Sequence, residues 1–258
     1  MKCPAPFFLW FHHRSGSSHL SSLLDSHDQI ASWGEFFYRG EAGAAGDLFT
    51  RSGSDSEAAF LEHLYCYRWA DTGANLCETD PVPPLVRAVG FKLKYQQADT
   101  HPGALNYLRR QPGMKAIHLI RTNLLSALVS AAMIPRLIKK FRRPNLIHGE
   151  SPRQVETSVR LNPQTIVCQL EELEHRIDVA RGALVGLDLL EITYEDLLDQ
   201  QSATCRTVLD FLGVDASVEL TSRFVKIMPR SLDSSLANKD EIAAALRGSR
   251  FASLLDAG

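Results

Sequence analysis

PFFLWFHHRSGSSHL, residues 6–20, runs from an apolar burst through a short polar loop into a helical pattern. PFFLWF (6–11) reads as a strand buried on both faces, and SHLSSLLDS (18–26) as the helix that follows. A strand, a tight loop and a helix in that order make an anion site, because the helix N-terminus presents unpaired N–H groups and a partial positive charge. The loop adds the hydroxyls of Ser15, Ser17 and Ser18, and Gly16 allows close backbone approach. Arg14 adds a planar fork that suits a pair of phosphate or sulfate oxygens. The nucleoside-triphosphate form of such a loop reads GxxxxGK[ST]. Here no glycine opens the loop and no lysine precedes the hydroxyls. The modest alternative is a Gly-Ser turn capping a buried helix, with Ser17 or Ser18 at the N-cap.

Working outward, AVGFKLKY (88–95), KAIHLI (115–120) and LDLLEITY (187–194) read as further buried strands. Between and after them lie helical patterns at 56–69, 123–140, 163–184, 204–214 and 238–249, with Pro163 placed at a helix start. This alternation predicts an α/β fold: one domain over 1–258, with a central, mostly parallel sheet covered by helices on both faces. Two stretches, 39–55 and 142–153, read as long loops and candidate lids.

The chain of 258 residues is 45% hydrophobic and 22% charged, with net charge -2, which gives no global electrostatic argument for nucleic acid. Five scattered cysteines (Cys3, Cys66, Cys77, Cys168, Cys205) show no metal-ligand spacing, and no metal is expected. FFLWF is too short for a signal sequence, and no run approaches the roughly 20 apolar residues of a membrane span. The expectation is a cytoplasmic protein with no stable membrane insertion. The run RLIKKFRR (136–143) is read as a solvated helix terminus, or as a cover for a bound anion.

A second grip follows the strand KAIHLI. Arg121 stands at its C-terminal edge, where open α/β sheets bind ligands, and Ser130 lies about two turns along a helix that begins near Asn123. Each has an ordinary alternative, a strand-end salt bridge or a tolerated helix hydroxyl. Two anion grips at strand ends suggest a nucleotide phosphorylated at two places.

FFLWFHHRSGSSHLSSLLDSH resembles the 5′-phosphosulfate loop of sulfotransferases, and IHLIRTNLLSALVS resembles their 3′-phosphate motif. WGEFF (33–37), GFKLKY (90–95), ITYEDLL (192–198) and LRGSRFASLL (246–255) are similar to segments of the bacterial carbohydrate enzymes, the trehalose and nodulation-factor type. The resemblance implies a P-loop-like three-layer fold. It also implies 3′-phosphoadenosine-5′-phosphosulfate as donor and an alcohol or amine as acceptor, and the expectation is a hydroxyl on a carbohydrate or glycolipid. By position, Arg14, Ser15, Gly16, Ser17 and Ser18, with His19 beside them, would cradle the 5′-phosphosulfate. Arg121 and Ser130 would hold the 3′-phosphate, with Lys226 or Arg230 as late basic additions. Relatives of this kind also suggest a homodimer.

The resemblance also implies Glu35 of WGEFF as the base, since this group of enzymes places its carboxylate there, with its pKa raised toward neutrality by Trp33, Phe36 and Phe37; its ordinary alternative is a surface carboxylate or a loop hydrogen-bond acceptor. His12, His13 and His19 are rival bases, and His118 reads as a core residue. Lys92 and Lys94 read as a solvated pair at a strand end, and Tyr194 and Glu195 as structural. Two other readings are an ATP-dependent P-loop kinase, disfavoured by the missing lysine, and a non-catalytic nucleotide-binding or interaction protein.

Overall fold

The computed structural model describes residues 4–37, 48–66, 85–151, 154–225 and 232–255. Strand β1 (Ala5–Phe11) leads through the loop into helix α1 (Ser17–Asp25), and β2 (Ile30–Glu35) follows. Next come α2 (Leu48–Ser52), α3 (Glu57–Cys66) and β3 (Ala88–Lys94), then α4 (Tyr95–Thr100), α5 (Pro102–Leu108) and β4 (Lys115–Ile120). Beyond β4 stand α6 (Leu124–Ala132), α7 (Ile134–Phe141) and the two-residue β5 (Leu146–Ile147). The remaining elements are α8 (Ile166–Ala183), β6 (Asp188–Thr193), α9 (Tyr194–Asp199), α10 (Gln201–Leu212), β7 (Phe224–Val225) and α11 (Lys239–Leu246).

The sheet order is β2-β3-β1-β4-β6, with every pairing parallel. β1 is central because both its faces are apolar. Phe8 and Trp10 pack into one core with α3, α5, α6 and α8. Phe7, Leu9 and Phe11 pack into the other with α1 and α10. Three layers result, as the continuous apolar runs predict. The chain runs outward from β1 to β2, returns to β3, then crosses β1 to reach β4 and β6. That reversal of strand order opens a crevice at the C-terminal ends of the strands, beside the loop at 12–16.

Several expectations need correction. β2 lies where no strand was expected, because its residues IASWGE carry a Gly and two small side chains rather than an apolar run. The pattern at 123–140 divides at Met133 into α6 and α7. Pro135 can begin a helix but not continue one, lacking an N–H and clashing with the preceding turn. Pro163 lies in the turn before α8, whose N-cap is Thr165. Of the candidate lids, 39–47 falls outside the described residues and 48–52 is the short α2. The second carries β5, paired antiparallel with β7.

Candidate active site

The loop departs from ordinary backbone twice. Arg14 has φ 63° and Gly16 φ 90°, both left-handed. Gly16, not Ser17 or Ser18, is the N-cap of α1, and no side chain caps the helix. The serine hydroxyls are therefore not consumed in capping, which answers the modest alternative reading. Ser15 is fully buried, and its Oγ has no hydrogen-bond partner. Nε2 of His19 is likewise buried and unpartnered, while its Nδ1 meets Ser222 Oγ at 3.0 Å. Such orphaned polar atoms are costly unless a ligand meets them.

The Arg121–Ser130 edge closes on the β1 loop. Arg14 Nε donates to Ser130 Oγ at 2.9 Å, joining the β1 loop to α6. Its NH1 reaches the Pro144 carbonyl and Asn145 Oδ1, both at 3.1 Å, so the segment before β5 straps the cleft. Burial, and then the charge of Arg121, pull the Arg14 pKa down to about 10, which still leaves a cation at neutral pH. Arg121 is 8% exposed and lies 4.6 Å over the Tyr194 ring. Its Nε sits 4.0 Å from Glu195 and makes no hydrogen bond. Glu195 is occupied in accepting from the Thr122 and Asn123 N–H groups, the structural part expected of it. Tyr194 was read as structural too, yet it lines the cleft with Leu198, Phe224 and Val225. These supply an apolar wall that sequence reasoning missed.

Glu35 faces the same cleft through a bulge in β2. Ser32 pairs with Gly90 but Glu35 pairs with Lys92, so β2 carries one residue more than β3 between them. Because strand side chains alternate, that extra residue turns Glu35 onto the face of Lys92 and Lys94. Glu35 lies 3.5 Å from Lys92 Nζ and 3.0 Å from Lys94 Nζ, and accepts from Gln97 Nε2 at 2.8 Å. Two expectations are overturned. The lysines are not solvated, with side chains only 11% and 16% exposed. Nor is Glu35 raised toward neutrality: burial pushes its pKa up, but Lys92, Lys94 and Gln97 outweigh it and hold it below the ordinary value. Phe36 and Phe37 pack in the core instead of over the carboxylate.

The rival bases divide. His12 is 1% exposed; its Nδ1 donates to the His13 carbonyl and its Nε2 accepts the Arg121 N–H at 3.1 Å. Both nitrogens are thus used in tying the two loops together, and only the neutral ring fits. His13 lines the cleft, with burial and then Lys94 and Arg14 lowering it to about 4. His118 is a core residue as expected, accepting from Tyr95 and donating to Glu191. Lys226 and Arg230 lie outside the described residues. In the basic run, Arg136 donates to the Glu156 and Ser158 carbonyls, Arg143 pairs with Glu150, and Lys139 and Lys140 are exposed.

Burial first, then the Arg121 charge, lowers His12 from 6.5 to about 4, and burial does the same to His118. The unfolded chain binds these protons more readily, so the stabilisation is fully present above pH 6.5 and is lost as pH falls toward 4. For His12 alone the shift corresponds to roughly 3 kcal/mol. Calorimetry should show the melting temperature falling steadily from pH 7 to 4.5. A flat profile there would contradict the tautomer assigned to His12.

No helix among the described residues is long and apolar enough to cross a membrane, and no cluster of potential metal ligands is found among them. The model of the sulfotransferase family matches residues 6–218. Nodulation protein H of Rhizobium tropici is 27% identical over 256 residues, covering 98% of this chain and 94% of that protein. A sulfotransferase structure from Alicyclobacillus acidocaldarius covers 100% of this chain and 98% of its own at 16% identity and TM-score 0.47. The sulfotransferase domain of the curacin biosynthetic pathway covers 83% and 76% at 17% identity and TM-score 0.42. The structural likenesses are too distant to argue from, but the family match spans most of the chain and includes both the loop at 14–18 and the stretch from Arg121 to Ser130. This chain belongs to the sulfotransferase family and is an enzyme of sulfuryl transfer.

Proposed function

We propose that this enzyme takes its sulfuryl group from 3′-phosphoadenosine-5′-phosphosulfate and delivers it to a hydroxyl on a carbohydrate or glycolipid. One observation carries the reading: the β1 loop and the β4–α6 edge converge on one cleft, joined by the Arg14–Ser130 hydrogen bond. Orphaned atoms at Ser15 and Arg121 supply polar groups that suit anionic oxygens. In this reading Ser15, Gly16, Ser17, Ser18 and His19 cradle the 5′-phosphosulfate. Arg121 and Ser130 hold the 3′-phosphate, and Arg14 stands between them. The carbohydrate acceptor follows from the likeness to Nodulation protein H. Cytoplasmic action by a single domain over 1–258 belongs to the same proposal. So does a homodimer, for which exposed Val179 and Val185 offer apolar surface.

The residues divide the chemistry by charge. Transfer forms a bond from the acceptor oxygen to sulfur and breaks the bond from sulfur to the phosphate oxygen, which leaves with the electron pair. By analogy with phosphoryl transfer, catalysis is then mainly positioning and electrostatic stabilisation. Arg14 and the loop N–H groups answer the charge on the leaving oxygen. Glu35, ionised at neutral pH, receives the acceptor proton. A loose transition state asks little of the base until the new bond is well formed, so a carboxylate of lowered pKa suffices.

The test is thermal melting with adenosine 3′,5′-bisphosphate, against ATP with magnesium and against buffer. At about 100 times its dissociation constant, a ligand of the folded state stabilises by roughly 2.7 kcal/mol. A shift with the bisphosphate alone is the expected result. A shift with ATP and magnesium alone would overturn the assignment.

A further inference from the structure

The loop lacks a lysine, yet an ammonium reaches it from the neighbouring strand. Lys92 on β3 is 8% exposed, and its Nζ lies 3.3 Å from Ser18 Oγ and 3.5 Å from Glu35. Burying an ammonium is costly unless it is paired and hydrogen-bonded. Lys94 alone, at 3.0 Å, would neutralise Glu35. A buried ammonium beside the loop attracts an anion more strongly than a solvated one does.

Ser18 fixes where that attraction is felt. Its Oγ accepts from Lys92 Nζ and from Asn145 Nδ2, each at 3.3 Å. A hydroxyl has two acceptor positions and one donor. With both acceptor positions filled, the Ser18 O–H can only donate, and Ser18 lines the cleft. A hydroxyl held this way recognises an unprotonated oxygen and is wasted on a donor group.

We propose that Lys92 is a positioning residue that stands in, from β3, for the lysine missing from the loop. It locks the Ser18 hydroxyl as a donor to an oxygen of the 5′-phosphosulfate and places a positive charge behind it. This rests on reading the loop as the 5′-phosphosulfate cradle. A loop lysine would touch the leaving oxygen directly; Lys92 acts through Ser18. The charge is present before the reaction and needs no reorganisation as negative charge builds on the leaving phosphate.

The test uses two probes that differ only at the 5′ position, adenosine 3′,5′-bisphosphate and adenosine 3′-monophosphate, titrated by calorimetry. Lys92→Met is expected to weaken the bisphosphate about tenfold to a hundredfold, the range for a hydrogen bond to a charged group, and to leave the monophosphate unchanged. Ser18→Ala should give the same selective loss, and the double variant should lose little more than either alone. A merely structural role for Lys92 would weaken both probes together and overturn the proposal. Losses that multiply in the double variant would also overturn it, since Lys92 would then act independently of Ser18. If Lys92→Met does not fold, Lys92→Leu, equally unable to donate to Ser18, carries the same expectations. A wild-type protein that binds the two probes equally would instead refute the cradle itself, a separate outcome.

Discussion

Glu35→Gln is expected to cut turnover about 10²- to 10⁴-fold, the range for removing a general base, while bisphosphate binding stays at the wild-type level or tightens. The opposite directions follow from charge. Glu35 is paired with both Lys92 and Lys94. Removing its charge makes the site more positive by one unit, which favours an anionic ligand and deprives the acceptor hydroxyl of the proton acceptor proposed for it. The variant leaves a buried ammonium less well paired, so its melting temperature should fall. Turnover is therefore measured well below that temperature, with labelled donor and a panel of oligosaccharide and glycolipid acceptors. Full activity would eliminate Glu35 as base and turn attention to His13 and His19, the histidines that also line the cleft.

The same residues mark how far the sequence could be read. β1, β3 and β4 are continuous apolar runs because both faces of a parallel strand are buried, and such runs are legible in a single sequence. β2 is not, because its bulge breaks the alternation at Trp33 and Gly34. That bulge also decided the chemistry of Glu35. Read by itself, WGEFF promises a carboxylate among aromatic rings, whereas the register brings Lys92 opposite it and the rings turn away into the core. The positions of Arg14, Arg121 and Ser130 were legible because each sits at a fixed offset from a strand end. Their junction was not, since the Arg14–Ser130 contact spans 116 residues and depends on the sheet order. The K-L-K alternation at 92–94 did hold a signal. Two lysines on one face of a strand that is otherwise wholly apolar demand a buried counter-charge, and only the partner's identity had to come from the fold.

Gly16→Ala is expected to abolish the bisphosphate-induced melting shift, and here two effects add. At φ 90° an added Cβ is strained against its own backbone, at roughly 1–2 kcal/mol. That Cβ would also stand 2.3 Å from Tyr194 Cδ2 and 2.8 Å from its Cε2, so the ring or the loop must move. The Tyr194 ring carries the Arg121 guanidinium on its face, so displacing it disturbs the second grip as well as the first. Gly213→Ala separates the two effects. Gly213 has φ 76° at the C-cap of α10, and nothing lies within 4 Å of its would-be Cβ. It should show the backbone strain alone, lowering the melting temperature by a few degrees, with the bisphosphate shift intact. If Gly16→Ala behaves like Gly213→Ala, the contact with Tyr194 yields at little cost, and the ring is not what holds Arg121 over the cleft. If the shift disappears only at Gly16, the missing Cβ joins the two grips as firmly as the Arg14–Ser130 hydrogen bond does.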